Sequence, residues 1–541
     1  MDRDIEKTST DEGTLNPESN EPTFSPIQSG APQTTRTRSR TSGAISRCQS
    51  QNGYSCNPHE PNEDDDELEK DPFEVGWENG DSDPWCPRKF VKLRKWLIVS
   101  IVSSASLCVT AASSIYTSTY EQTEAEFGNS REISILGLST FVLGIGLGPM
   151  FLGPMSEFYG RRPIYIVSWS MYFIWIIPQA VAQNIETIIV SRFLDGFSGS
   201  AFLAVSGGTV GDLFTANEIQ APMLMFSMAP FVGPSIGPLI GGFINYNTDW
   251  RWTHWTLLIW AGALWIAIVF FVPETYHPIV LRNKARQIRK ETGDERWKAP
   301  TEKTKKSAIS AISRSLLRPF QLLIFEPMCL NLCIFTAILL GILYLFFGAF
   351  PLVFGGVYGF NLWQVGLSFL GILVGMVAAA GLDPVWHRIR SNLVSKLSLE
   401  TGVQGSSQPE FRLPPAIVGA LVVPAGIFMF GWSCYPWVHW IVPIIGSAIF
   451  GAGILLVFSG VFTFLVDAYP QYAASALAAN AFVRCAFAAA FPLFGNQMYQ
   501  KLNNHWASTL LAFLTIAMMP FPYLFFRYGK RIRANSRFAT S

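Results

Sequence analysis

The sequence predicts an all-α membrane protein with twelve transmembrane helices. Three observations predict it. Only 15% of the 541 residues are charged, against about 25% in a soluble protein. That charge gathers in the first ninety residues, a central segment, one shorter loop and the last fifteen residues. Between these lie apolar runs of about 20 residues, the length that spans a ~30 Å hydrocarbon core at ~1.5 Å per residue.

Residues 1–93 are rich in Ser, Thr, Pro, Asn and acids, with the run Glu63-Asp64-Asp65-Asp66-Glu67. Such a segment buries too little apolar surface to offset its ordering entropy, so a disordered cytosolic tail is expected. The Arg/Ser/Thr stretch at 36–47 is either a phosphorylation region or solvated tail. The N-terminus carries no signal-peptide pattern, so the first apolar helix is expected to target the chain to the membrane.

The apolar segments fall at 96–116, 133–153, 163–182, 188–210, 222–244, 253–272, 328–350, 361–382, 414–433, 437–463, 472–496 and 506–526. A long basic segment, 274–318, separates the sixth from the seventh. The expected organisation is therefore a six-helix bundle at 94–273, the basic linker at 274–318, a second six-helix bundle at 319–527 and a basic tail at 528–541. Lys and Arg concentrate in the linker (Arg282, Lys284, Arg286, Arg289, Lys290), the tail (Arg527, Lys530, Arg531, Arg533, Arg537), and loops 2–3 and 8–9. The loop between the first two segments is acidic. The positive-inside rule then puts both termini in the cytosol.

Some chemistries find no support. The eight cysteines are spaced neither as a disulfide framework nor as a zinc site. Cys329 and Cys333, one helical turn apart in an apolar run, read as small buried residues. There is no Gly-x-x-x-x-Gly-Lys-Ser/Thr sequence, so a built-in ATPase is not expected. The spans hold no His cluster or nucleophile–base pair of useful spacing. An enzyme is therefore not expected, and His254 and His439, near the outer face, read as surface or packing residues.

The most specific local pattern joins the second and third segments: Gly153-Pro154-Met155-Ser156-Glu157-Phe158-Tyr159-Gly160-Arg161-Arg162-Pro163. Gly153 and Gly160 permit close helix approach and a tight turn. Glu157 offers a carboxylate at a helix end, Arg161 and Arg162 supply basic charge, and Pro163 suits a first helical turn.

The fifth segment reads Ala229-Pro230-x-x-Gly233-Pro234-x-x-Gly237-Pro238-x-x-Gly241-Gly242. Small residues at three- and four-residue spacing leave one face nearly bare, which allows close packing in lipid. The prolines kink the helix and free backbone carbonyls.

Charges inside the membrane are costly and point to function. Away from segment ends there are three: Arg192 and Asp195 on the fourth segment, and Arg484 on the eleventh. Asp195 is the one acid well inside a span. It follows Arg192 by three residues, so the two can meet on one helical face. Desolvation drives a buried acid neutral while a nearby Arg favours its ionised form. The pair is thus either a proton site or a structural ion pair. Arg484, after Asn480, either holds an anionic substrate group, offsets a helix dipole or donates to backbone carbonyls.

These motifs together make the chain resemble the major facilitator superfamily, whose signature in the 2–3 loop is Gly-x-x-x-Asp-Arg-x-Gly-Arg-Arg. Glu157 stands at the family's Asp and Phe158 at its first Arg. The Glu form is similar to the fungal drug:proton antiporter branch with twelve helices. Arg192-Phe193-Leu194-Asp195-Gly196, Gly208 through Asp212, Pro273-Glu274-Thr275-Tyr276-His277-Pro278 and Asp467-Ala468-Tyr469-Pro470 support that branch. The resemblance covers roughly residues 94–535.

It implies two six-helix bundles working by alternating access. It implies that Glu157 faces the N-terminus of helix 11, that Arg161 pairs with Asp212, and that these contacts latch the halves in the outward-open state. It implies that the helix 5 motif seals a helix 5–helix 8 interface, with Gly371 and Gly375 as counterparts, and that Arg192 aids proton transfer. An apolar, aromatic cavity is expected, with Tyr116, Phe197, Tyr344 and Phe347 beside Asn480 and Arg484, suited to lipophilic or flat cationic compounds.

The implied function is proton-coupled export of small organic compounds: drugs, fungal toxins or polyamines. A proton symporter importing a nutrient is the alternative. The expected partners are a small-molecule substrate, protons and the lipid bilayer, with no nucleic acid and no cofactor beyond the protonmotive force. The expected form is a monomer in the plasma membrane.

Overall fold

The computed structural model describes residues 73–77, 83–215, 218–303, 308–401, 407–534, 536 and 538–539. The acidic run at 63–67 and the Arg/Ser/Thr stretch at 36–47 lie outside the described residues. The compact unit Thr41–Ser541 is helical, and among its described residues the one β feature is an isolated bridge between Glu74 and Lys298.

Twelve long helices account for the twelve apolar segments. They are α1 (Lys92–Ile115), α2 (Arg131–Tyr159), α3 (Arg161–Ala180), α4 (Ile185–Leu213), α5 (Gln220–Asn247) and α6 (Arg251–Phe271). The second set is α7 (Pro327–Phe350), α8 (362–381), α9 (Pro414–Trp432), α10 (Ile441–Ala468), α11 (473–502) and α12 (504–533). Ten stretches are long and apolar enough by themselves to cross a membrane. The difference from twelve has two causes. α3 is diluted by Arg161, Arg162 and its Trp, Tyr and Ser side chains. α11 and α12 run as one 64-residue stretch, about 96 Å if straight, but the chain breaks at Asn503 (φ 61°, ψ 164°) and turns back. Tyr499 on α11 then bonds Ser508 on α12.

Most helices outrun their apolar cores at one or both ends. α2 continues to Tyr159 rather than 153, so most of the predicted 2–3 loop motif forms its last turns and only Gly160 is non-helical. α12 continues to Arg533, inside what reads as tail. There Arg533 donates to Glu410 from Nε and Nη2, both at 2.9 Å, and the two side chains are 4% and 3% exposed. Polar residues at the ends sustain the backbone hydrogen bonding that hydropathy does not register.

Two expectations change between the bundles. The linker is helical at His277–Thr292 and Ala308–Phe325. Part of the expected disordered tail is packed upon it: Phe73 meets Trp297, Trp77 meets His277, and Lys284 bonds the buried Asp83 at 2.8 Å. Val75 is buried with Ala285 and Ala299. Phe73, Val75 and Trp77 give this segment the apolar surface that the rest of the tail lacks.

The fifth-helix glycines decide how the first bundle packs. β-Carbons built on Gly233 and Gly237 would strike Thr110 and Ser114 of α1, and one on Gly241 would lie 2.8 Å from the Ile115 carbonyl oxygen. Three of the motif's glycines therefore serve α1 rather than α8. Gly242 meets Leu362 at the start of α8, and the α8 glycine facing α5 is Gly366. Gly371 and Gly375 pack instead against Ile444, Ser447 and Ala448 of α10. The helix 5–helix 8 contact is real, but Gly366 is its α8 partner.

Candidate functional site

At the basic face, Arg161 begins α3. Its Nε lies 3.4 Å from Asp212 Oδ2 at the end of α4, and its Nη1 donates to Ser156 Oγ at 2.8 Å. The guanidinium carbon sits 4.8 Å from the centre of the Tyr276 ring. His277 Nε2 is 2.9 Å from the Asp212 carbonyl oxygen.

The centre of this cluster is Glu274, which composition and spacing left without a task. Its carboxylate accepts the backbone N–H of Arg161 at 3.0 Å and of Arg162 at 3.1 Å, and those of Thr275 and Tyr276 as well. The first N–H groups of a helix have no partner within it, and an acid placed there also meets the positive end of the helix dipole. Glu274 thus caps α3 from the end of α6. Gly160 is required twice over: its φ is 101°, and a β-carbon would strike the Glu274 carboxylate. Arg162 adds a bond to the Val269 carbonyl. The Pro-flanked acid just beyond the sixth apolar run was the available signal.

All of these partners lie in the first bundle or in the start of the linker that follows it. The Arg161–Asp212 pair therefore joins α3 to α4 and does not itself bridge the halves. Glu157 is exposed near Arg161 and Tyr276. A β-carbon on Gly153 would meet nothing within 4 Å. The second bundle repeats the arrangement: Arg412, at the start of α9, donates to Asp467 at the end of α10 at 2.7 Å.

The halves touch at the opposite face. Ser139 on α2 donates to the Ala489 carbonyl on α11 at 2.6 Å. A β-carbon on Gly146 would lie 2.6 Å from Cys485 Cβ. Ser113 and Tyr344 share a hydrogen bond of 2.9 Å between α1 and α7. Toward the basic face, the helix Ala308–Phe325 packs against both α2 and α11, with Phe320 edge-on to Phe482 at 5.5 Å.

Within the membrane, Arg192 and Asp195 are both buried but form no direct ion pair among the described residues. Arg192 donates to the carbonyls of Ala112 at 2.8 Å and Ser113 at 3.2 Å, and lies over the rings of Tyr116 and Phe141. These carbonyls come where α1 tightens into a 3-10 turn at Tyr116–Thr119, and carbonyls of a last α turn lack intrahelical partners. Backbone acceptors thus outcompete the expected i,i+3 contact. Asp195 instead takes a hydrogen bond of 3.0 Å from Gln179 on α3, while its Oδ1 is buried without a partner. His254 is a buried packing residue beside Trp250 and Tyr116, whereas His439 is exposed.

The residues expected to line one cavity take part in different sets of contacts. Tyr116 is buried beneath Arg192. Phe197 packs on Phe151. Tyr344 and Phe347 line a small cavity of about 40 Å³ together with Tyr120, Arg131 and Asn496. Asn480 bonds Thr336 at 2.7 Å and ties α11 to α7. Arg484 stands among Phe231, Phe458 and Phe462, three residues from two other helices that carry no joint signal in the sequence.

Residues 102–492 match the sequence profile of the Major Facilitator Superfamily. The chain is 55% identical over 460 residues to "Efflux pump atB" of Aspergillus terreus, covering 85% of this chain and 89% of that one. It is 42% identical over 473 residues to "Probable drug/proton antiporter YHK8" of Saccharomyces cerevisiae, covering 87% and 91%. Among solved structures, it resembles the inward-open xylose transporter XylE of E. coli with a TM-score of 0.55 at 16% identity, covering 79% and 96%. That likeness is one of fold.

Proposed function

This chain belongs to the Major Facilitator Superfamily, a family of multi-pass membrane transporters rather than enzymes, and we propose that it exports small organic compounds in exchange for protons. The observation that carries this reading is likeness, over 85% and 87% of the chain, to a fungal efflux pump and a fungal probable drug/proton antiporter. No cofactor takes part, and the protonmotive force supplies the drive. The chain works as a monomer in the plasma membrane.

With the basic face in the cytosol and both termini there, the contacts among α1, α2, α7 and α11 close the pathway toward the outside. A compound enters from the cytosol or inner leaflet, and the halves then rock to open outward. Closing the basic face brings the α2 end with Gly153, Glu157 and Gly160 toward the second bundle. Arg161, Arg162, Asp212 and Glu274 keep α3, α4 and α6 rigid through that motion. Asp195 carries the proton, with Gln179 orienting its carboxyl and Arg192 held nearby by α1 carbonyls. The α5 motif, from Pro230 through Gly233, Pro234, Gly237, Pro238, Gly241 and Gly242, fixes α5 against α1 so that the first bundle moves as one body.

The test uses inside-out plasma-membrane vesicles from a pump-depleted fungal host that carry the full chain. An imposed gradient, acidic inside, should drive accumulation of drugs or secondary metabolites, and a protonophore should abolish it. Accumulation insensitive to the gradient would refute proton exchange. Movement in the direction of the proton flow would select the symporter reading.

A further inference from the structure

Arg484 differs in character from Arg192 and Arg161. Arg192 is satisfied by carbonyls, and Arg161 by a carboxylate and a hydroxyl. Arg484 makes no hydrogen bond or ion pair among the described residues, and its Nε and Nη1 are buried without a partner. The ionisable groups whose charge acts on it are Cys485, Tyr344 and Cys333, with no carboxylate paired to it among the described residues. Donation to backbone carbonyls, one of the roles the sequence leaves open for Arg484, is not seen among the described residues. The side chain is half-buried, so part of it is reached from outside the protein matrix.

Its surroundings are aromatic. The guanidinium carbon lies 5.9, 5.4 and 5.0 Å from the ring centres of Phe231, Phe458 and Phe462. Phe231 stacks on Phe458 at 4.9 Å, and Phe458 on Phe462 at 5.6 Å. Phe231 comes eleven residues after the start of α5, Arg484 eleven after the start of α11, and Phe458 ten before the end of α10. At helical rise each lies about 15–17 Å from the basic end, close to mid-bilayer. The cluster also joins the two bundles, since α5 belongs to the first and α10 and α11 to the second. That is the level and the interface at which alternating-access transporters hold their cargo.

An unpaired guanidinium in such a place is costly unless an anion completes it. Phenylalanine faces soften the charge but supply no acceptor for the N–H groups. We propose that Arg484 binds the anionic group of the transported compound, and that Phe231, Phe458 and Phe462 receive the flat aromatic body beside it. The substrate class is then aromatic or conjugated organic acids, a carboxylate or comparable oxyanion on a planar frame. This reverses the preference for flat cations that an aromatic lining suggests by itself. It rests on the export reading above.

The experiment compares accumulation of 2-naphthoate with that of neutral 2-naphthamide in the same inside-out vesicles, for the unmodified chain, Arg484→Gln and Arg484→Lys. Naphthoate should be favoured by the unmodified chain. Arg484→Gln should lower the naphthoate-to-naphthamide ratio roughly tenfold or more, as loss of a buried charge partner does, and Arg484→Lys should restore part of it. An unchanged ratio in Arg484→Gln, or no preference for naphthoate in the unmodified chain, would overturn the assignment. If the amide is driven by the gradient and the acid is not favoured, the anion site alone fails. If neither compound responds to the gradient while the drugs and secondary metabolites of the export test do, the anion site alone fails; if none of them responds, the export reading fails with it.

Discussion

Gly366 on α8 lies so close to α5 that a β-carbon there would sit 2.5 Å from the Pro238 carbonyl oxygen. This contact closes the halves at the face opposite the basic one. Gly153, near the basic end of α2, has open space around it in the same conformation. The two glycines therefore sit at opposite ends of the expected motion.

Gly366→Leu should prevent closure of the face opposite the basic one, at an overpacking cost of about 1–3 kcal/mol in the present conformation. Gly153→Leu should leave that state undisturbed and hinder closure at the basic face instead. Both should reduce transport. They should shift the labelling of single cysteines placed at the two faces in opposite directions. Parallel shifts would show that one of these contacts does not gate the pathway.

Glu274→Gln should weaken the cap on α3, because a neutral amide replaces a carboxylate that accepts N–H groups from both Arg161 and Arg162. A loss of about 1–2 kcal/mol is expected, read as a lower unfolding midpoint of the purified protein in detergent. Glu274→Ala should cost at least as much. An unaltered midpoint in both would remove Glu274 from the cluster.

Asp195→Asn keeps the shape and the Gln179 contact but removes the titratable group. The variant should reach the membrane at normal levels and lose the dependence of export on the pH gradient. Retained transport with unchanged pH dependence would rule out Asp195 as the proton carrier and leave a structural polar contact.

Deleting residues 529–541, which read as a basic tail, should destabilise the second bundle because it removes Arg533 from buried Glu410. Breaking such a pair from one side costs about 3–5 kcal/mol. Deletion combined with Glu410→Leu should recover much of the loss in a thermal unfolding assay. Equal loss with and without Glu410→Leu would place the effect elsewhere in the helix end.

The twelve spans, their division into two sixes and the three charges inside the membrane were all legible in the sequence. Those features are local. Hydropathy over 20 residues and the sign of loop charge are readable without knowing what lies alongside. Partners were another matter. Arg161 found Asp212 as the family pattern implied, but Arg192 turned from Asp195 to the carbonyls of Ala112 and Ser113. Asp195 took Gln179, and the α5 glycines faced α1 more than α8.

The physical reason is that lipid-exposed and helix-packed apolar faces look alike in sequence. Which faces meet is decided by small-residue fit and by hydrogen bonds among segments far apart along the chain. The solitude of Arg484 is of this kind. The sequence places a cation in the eleventh span; only the packing of α5, α10 and α11 gives it three phenylalanine rings and, among the described residues, no carboxylate partner.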